Sequence, residues 1–212
     1  MMNEIPDGQL LRRHRKGDAS AFAELVKRHE GCLLQHARAV LGAGGAYEDA
    51  VQDALLKLAQ QPPTIPPEAD GDERLERVHL LSWLHKVTRN NCMDVMRSEA
   101  RRNRREHEAA KHEGTDGEMA RVEETDTRAI VKREIEKLPA DQREVLVLRL
   151  LGDRSYKEIA EITGKKIGTV GWLVSIGLQA LGDRLEPLLS LSETNARSAR
   201  SAASSRMQGE LS

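Results

Sequence analysis

SYKEIAEITGKKIGTVGWLVSIGLQAL, Ser155 to Leu181, is the stretch that decides how this chain is read. Ser155 and Glu158 form a capping box: the serine hydroxyl accepts from one unpaired backbone N–H of the first turn, and the glutamate carboxylate accepts from another. Ile159, Ala160 and Ile162 then give an apolar stripe, and Gly164 stands where a left-handed residue ends the helix. A second helix is predicted from about Thr169. Upstream, LPADQREVLVLRLLGD starts a helix after Pro139 whose Val145, Leu146, Leu148 and Leu151 face packs under this pair. The pattern is a helix-turn-helix with its supporting helix. Yet no Lys or Arg occurs between Lys166 and Arg184, so a helix placed to lie on DNA has no cations of its own.

The chain has 212 residues, 32% of them charged, 39% hydrophobic and only 2% aromatic, which suits one or two small helical domains. No apolar run approaches the roughly 18 residues of a spanning helix, and MMNEIPDGQLLRRHRKGD lacks the apolar core of a signal peptide, so a cytoplasmic chain with no membrane partner is expected. Cys32 and Cys92 lie far apart in apparent helices and are read as small core hydrophobes, not as a disulfide or zinc pair. The net charge of -1 says nothing about nucleic acid, but its distribution does. Basic residues cluster at Arg12, Arg13, Arg15 and Lys16 and again at Arg97, Arg101, Arg102, Arg104 and Arg105, whereas acidic residues dominate Glu106 to Asp126.

An all-α fold of two small helical domains follows. Residues 1–105 form the first, with three helical patterns from about Asp7 interrupted by QQPPTIPPEADGD. An acidic, flexible linker covers 106–127, the helix-turn-helix domain covers 128–189, and 190–212 have too few apolar groups to fold.

In the helix from Tyr47 to Gln60, Val51, Ala54, Leu55 and Leu58 make a core stripe, while Asp49, Gln52, Asp53 and Leu56 share another face. Carboxylates alone suit a solvated face; a leucine among them suits a partner that is basic at its rim and apolar at its centre. From about Leu80 to Arg102, Trp83, Leu84, Val87, Cys92, Val95 and Met96 look inward, and Lys86, Arg89, Asn90, Arg97 and Arg101 form a polar and basic stripe. Such a stripe either solubilises the helix or neutralises phosphates, and Asn90 and Asn91 add amides able to meet a base edge.

The run from Leu138 to Leu181 closely resembles the fourth region of bacterial sigma factors of the extracytoplasmic-function group. GDASAFAELVKRHEGCLLQHA resembles the opening of their second region, EDAVQDALLKLA its polymerase-binding helix and SWLHKVTRNNCMDVMRSEARR its promoter helix. The likeness covers roughly Gly8 to Leu188 in the family's order. It implies that Asp49, Gln52, Asp53 and Leu56 meet core RNA polymerase, and that Lys86, Arg89, Asn90, Asn91, Arg97 and Arg101 hold the minus-ten element of promoter DNA. It gives Gln61 to Val78 the role of the family's base-capturing loop, with no single residue carried over, and lets the acidic linker either run through the polymerase cleft or serve as a spacer.

Aligned on GTV, the family continues with cations where this chain has Gly171, Trp172, Leu173, Val174, Ser175 and Ile176. Three explanations remain open. The helix enters the major groove with Trp172 and Leu173 against thymine methyls, while Lys165, Lys166 and the helix start near Thr169 hold phosphates. Alternatively Trp172, Leu173 and Ile176 form an apolar ridge for a protein, such as an anti-sigma factor or another regulator, or they widen the core. Gly171 and Gly177 each cost a helix interior about 1 kcal/mol relative to Ala. No phosphate loop, metal-spaced histidine pair or activated nucleophile is present in the sequence, so no enzyme, metal or cofactor is expected, and His29, His36 and His85 are read as ordinary helix residues. The alternatives to a sigma factor are a stand-alone helix-turn-helix regulator, and a sigma-like adaptor or decoy.

Overall fold

The computed structural model describes residues 5–42, 46–109 and 127–187, all of whose regular structure is helical. The expectations placed on the linker's acidic run at 110–126 and on the tail from 188 lie outside the described residues. The first half holds α1 (Asp7–Arg15), α2 (Ala19–Leu41), α3 (Ala46–Gln60) and α4 (Glu73–Ala109). The second holds α5 (Thr127–Glu136), α6 (Ala140–Leu150), α7 (Tyr156–Thr163) and α8 (167–187).

Four helices stand in the first half, where three were expected. Asp18 divides α1 from α2, because its carboxylate accepts from the Ser20 and Ala21 N–H groups and starts a new helix. A second difference concerns α4, which begins at Glu73 and not near Leu80. Asp72 Oδ1 accepts from the Arg74 and Leu75 N–H groups, each at 3.0 Å, so the helix starts directly after the proline-rich run that ends at Asp72.

Leu10, Leu11, Leu25, Leu33, Leu58, Leu80 and Leu84 fill the core between α1, α2, α3 and α4. The expected α3 stripe of Val51, Ala54, Leu55 and Leu58 is buried in full. On α4, Leu84, Val87 and Cys92 are buried and Trp83 and Val95 half-buried, but Met96 is exposed. The reason is geometric: α4 projects out of the bundle here, and every side chain from Met96 to Arg105 faces solvent.

Leu146, Leu148, Ile159, Val170 and Val174 form the core of the second half. Leu151, expected inside, is exposed where the chain turns out of α6, and Val147 is buried instead. Val147 lies on the opposite face of α6, against Ala39, Ile135 and Leu181. That face meets α2 of the first half, while α7 packs on α4. Arg143 Nε donates to the Ala39 carbonyl at 2.6 Å, and Arg38 pairs with Glu136 at 2.9 Å across the same seam. The helix-turn-helix unit is therefore docked on the first four helices.

Candidate nucleic-acid and protein interface

The two faces of α3 separate cleanly. Asp49, Gln52, Asp53 and Leu56 are all exposed, Leu56 by 53%, while the side chains at the alternate spacing are sealed in the core. The helix thus presents an apolar group one turn from Asp53 and two turns from Asp49, an arrangement suited to a basic-rimmed partner.

On α4 the predicted stripe is only partly free. Lys86, Asn90, Arg97 and Arg101 are exposed, and Arg97 pairs with Asp94 at 2.9 Å in an open i,i+3 contact. Asn91 is a correction: its amide is half-buried and donates to the Ala50 carbonyl at 3.0 Å, tying α4 to α3. That bond takes one of its N–H groups and sets Asn91 apart from the exposed stripe. Arg89 is half-buried too, because its Nε donates to Glu144 Oε1 of α6 at 2.7 Å.

Glu144 does not stand out in the sequence pattern. It is 4% exposed, and its Oε1 also lies 3.4 Å from Nε2 of the fully buried His36. Burial pushes its carboxyl up, but the contacts of His36 and Arg89 outweigh this and hold it below the usual carboxylate value. Behind it, His36 Nδ1 lies 3.1 Å from His85 Nδ1. Burial, then the charges of His36, Arg154 and His29, push His85 well below the usual histidine value. The Nδ1–Nδ1 contact needs one proton between the two rings, one nitrogen donating and the other accepting, while the Nε2–H of His36 donates to Glu144. The one signal for this network in the sequence is the placing of Glu144 directly before the apolar run VLVL.

In the helix-turn-helix the capping box is present, with Ser155 N–H donating to Glu158 Oε2 at 2.8 Å and Glu158 N–H to Ser155 Oγ at 3.3 Å. Gly164 closes α7 at φ 71°, in the left-handed region expected of it. Lys165 reaches Asp141 at 3.0 Å and pins the turn to α6, and Lys166 and Thr169 are exposed. The apolar ridge needs correction. Trp172 is 61% exposed, but Leu173 is 5% exposed and packs with Val170 and Val174, while Ile176 is half-buried against the same core. Spacing explains it: Leu173 is three residues beyond Val170 and four before Gly177, on the face that meets α6. Ile167 and Leu178, not Leu173, are the other exposed apolar groups of α8.

Cys92 is buried and its thiol is pushed up to about 12 by burial, the state of an inert core residue. Among the described residues no group of three His, Cys, Asp or Glu side chains is placed to hold a metal, and no helix is long and apolar enough to cross a membrane.

Both halves of the chain match known families. The family described as Sigma-70 region 2 matches residues 25–102, and that described as Sigma-70, region 4 matches residues 128–181. The chain belongs to the sigma-70 family, in its extracytoplasmic-function group. This sigma factor is 29% identical over 199 residues to the ECF RNA polymerase sigma-E factor of Escherichia coli, covering 89% of this chain and 99% of that one. To the ECF RNA polymerase sigma factor SigM of Mycobacterium tuberculosis it is 29% identical over 168 residues, 79% of each chain. Its fold is similar to that of the sigma factor RpoE of Bartonella quintana in complex with the anti-sigma factor NepR, at TM-score 0.56 and 24% identity over 78% of this chain and 96% of that one. It is similar as well to CnrH in complex with the cytosolic domain of CnrY, at TM-score 0.54 and 22% identity, covering 85% and 97%. In the sigma factor, region 2 carries the acidic α3 face and the basic α4 stripe, and region 4 is the helix-turn-helix. The family is non-enzymatic, and this sigma factor serves transcription initiation.

Proposed function

We propose that this sigma factor docks on core RNA polymerase through Asp49, Gln52, Asp53 and Leu56 of α3, in the cytoplasm, and meets the minus-ten element through Lys86, Arg89, Asn90, Arg97 and Arg101 of α4. The observation that carries the reading is the exposed leucine among carboxylates on a helix whose other face is wholly buried. Burial of the alternate stripe fixes that face's orientation, so its charges act as one rigid patch. The basic stripe supports promoter contact because Arg97 is held only by an exposed ion pair, which a phosphate can replace at little cost.

Region 4 is assigned a weaker contact with the minus-thirty-five element, made by Lys165, Lys166, Thr169 and Trp172. A second reading, favoured by the exposure of Trp172 on a helix with no Lys or Arg before Arg184, is that this face receives a regulatory protein such as an anti-sigma factor. Reversing charge with Asp49→Lys and Asp53→Lys tests the central assignment. Capture of core polymerase by the purified chain is expected to be lost while the far-ultraviolet helical signal stays unchanged. Capture at the original level removes the assignment of α3.

A further inference from the structure

Glu144 belongs to α6 of region 4, yet its carboxylate is held by two side chains of region 2, Arg89 at 2.7 Å and His36 at 3.4 Å. A buried carboxylate is unfavourable unless paired and hydrogen-bonded, so this pairing is a condition of the docked arrangement. The guanidinium that supplies it comes from the stripe assigned to promoter phosphate. With its Nε–H on Glu144 and its side chain only 20% exposed, the guanidinium already has its charge paired, so a phosphate reaching its remaining N–H groups gains less from it. Lys86, Asn90, Arg97 and Arg101 stay exposed in the same arrangement, so docking withdraws Arg89 in particular, beside the packing of α7 on α4.

We propose that Glu144 is a built-in rival of promoter phosphate for Arg89: with region 4 docked on region 2 it masks this cation, and parting of the two regions releases it. The inference rests on the assignment of α4 to the minus-ten element. Asp49, Asp53 and Leu56 remain exposed in the docked form, so the device acts on the DNA face and leaves the α3 face open. Beyond Glu144 the seam among the described residues holds the Arg143–Ala39 hydrogen bond, the Arg38–Glu136 pair, a small apolar cluster at Ala39, Ile135, Val147 and Leu181, and the packing of α7 on α4. A seam of this size is within reach of a ligand that binds the parted form better, because such a ligand shifts the equilibrium by its difference in affinity for the two forms.

The test uses the intact chain, small-angle X-ray scattering for the separation of the regions, and fluorescence anisotropy with a short single-stranded DNA of mixed sequence. Glu144→Gln keeps the side chain's size and removes its charge. It is expected to expand the particle and tighten DNA binding roughly tenfold, the gain disappearing when Arg89→Gln is added. Glu161→Gln, on the exposed face of α7, removes the same charge and is expected to leave affinity within about twofold. Ala39→Phe overfills the seam without touching either partner and is expected to give the same expansion and gain, which covers a Glu144 variant that does not fold. If Arg89→Gln leaves affinity unchanged in the opened Ala39→Phe chain, Arg89 is not a DNA contact and the assignment of α4 falls together with the rivalry. If Arg89→Gln weakens that chain while Glu144→Gln neither expands nor tightens the parent, the α4 assignment stands and the rivalry is overturned.

Discussion

Gly177 lets α8 approach Leu146 of α6 so closely that a Cβ there would stand 3.0 Å from Leu146 Cδ1 and 3.2 Å from its Cγ. Leu146 is fully buried, so the few tenths of an ångström it would have to yield must be taken from the core around it. The glycine in this helix interior is therefore a packing requirement, although propensity alone marks it as a defect.

Two glycines of one helix are consequently expected to respond to alanine with opposite signs. Gly177→Ala forces the α6–α8 contact apart and is expected to lower stability by about 1–3 kcal/mol, less the helix-propensity gain. Gly182, exposed and with nothing near its would-be Cβ, is expected to gain about 0.4–1 kcal/mol when changed to Ala. Urea unfolding of the two variants checks both; equal effects would mean that the tight approach to Leu146 carries no energetic weight.

Salt dependence reads the α4 stripe. Arg97 and Arg101 lie on the part of α4 that projects beyond the bundle, where substitution disturbs no core. Changing both to Ala is expected to weaken promoter binding by the polymerase complex. The slope of log affinity against log salt is expected to fall by about 0.7–0.9 for each phosphate that is no longer neutralised. An unchanged slope assigns these arginines to solubility alone.

The parts of this fold that are legible in the sequence are those whose cause is local. The capping box at Ser155 and Glu158 and the left-handed stop at Gly164 depend only on the backbone of one turn, and the α3 faces depend only on helical spacing. What the spacing does not carry is the second face of α6. Val147 is buried and Glu144 paired because α2 and α4, over a hundred residues away from Glu144 in the case of His36, come to lie against them. Leu173 departs from its expected place for a related reason: the apolar run GWLVSI offers both faces of a helix, and the contact with α6 chooses Leu173 and Val174 for the core and leaves Trp172 outside. Arg89 shows the same limit at the site itself, since its place in the basic stripe is read from α4 and its partner sits in the other domain.

The histidine row makes stability depend on pH in a defined direction. His85 is faced by His36 and His29 of α2 and by Arg154 of the α6–α7 turn, and its buried ring stays neutral well below the ordinary value of 6.5 that it regains on unfolding. Between its folded value and 6.5 the unfolded chain binds the extra proton, so stability rises with pH, is fully present above 6.5 and is lost as pH falls below it. Glu144, held below 4.5, contributes stability that is present above 4.5 and lost as pH falls through its lower folded value. Urea unfolding is expected to show a loss approaching about 1.4 kcal/mol per pH unit below neutrality, which His85→Phe flattens. A slope that survives the substitution assigns the proton uptake to another group.

Trp172 and Leu173 are neighbours in sequence and opposites in environment, at 61% and 5% exposure. Leu173→Ala empties a position between Val170 and Val174 and is expected to cost about 2–5 kcal/mol of stability. Trp172→Ala removes a side chain with little to lose on the protein's own surface and is expected to change stability by less than about 0.5 kcal/mol. Its effect falls on binding. With purified core polymerase, transcription from a promoter carrying the minus-thirty-five element is expected to drop for Trp172→Ala, and to match the parent once that element is scrambled in both. A variant that transcribes like the parent on both templates excludes Trp172 as a DNA contact and leaves a protein partner for this face. Stability measured alongside keeps the two outcomes apart, because a binding loss with the fold intact traces to the exposed indole and not to the core beneath it.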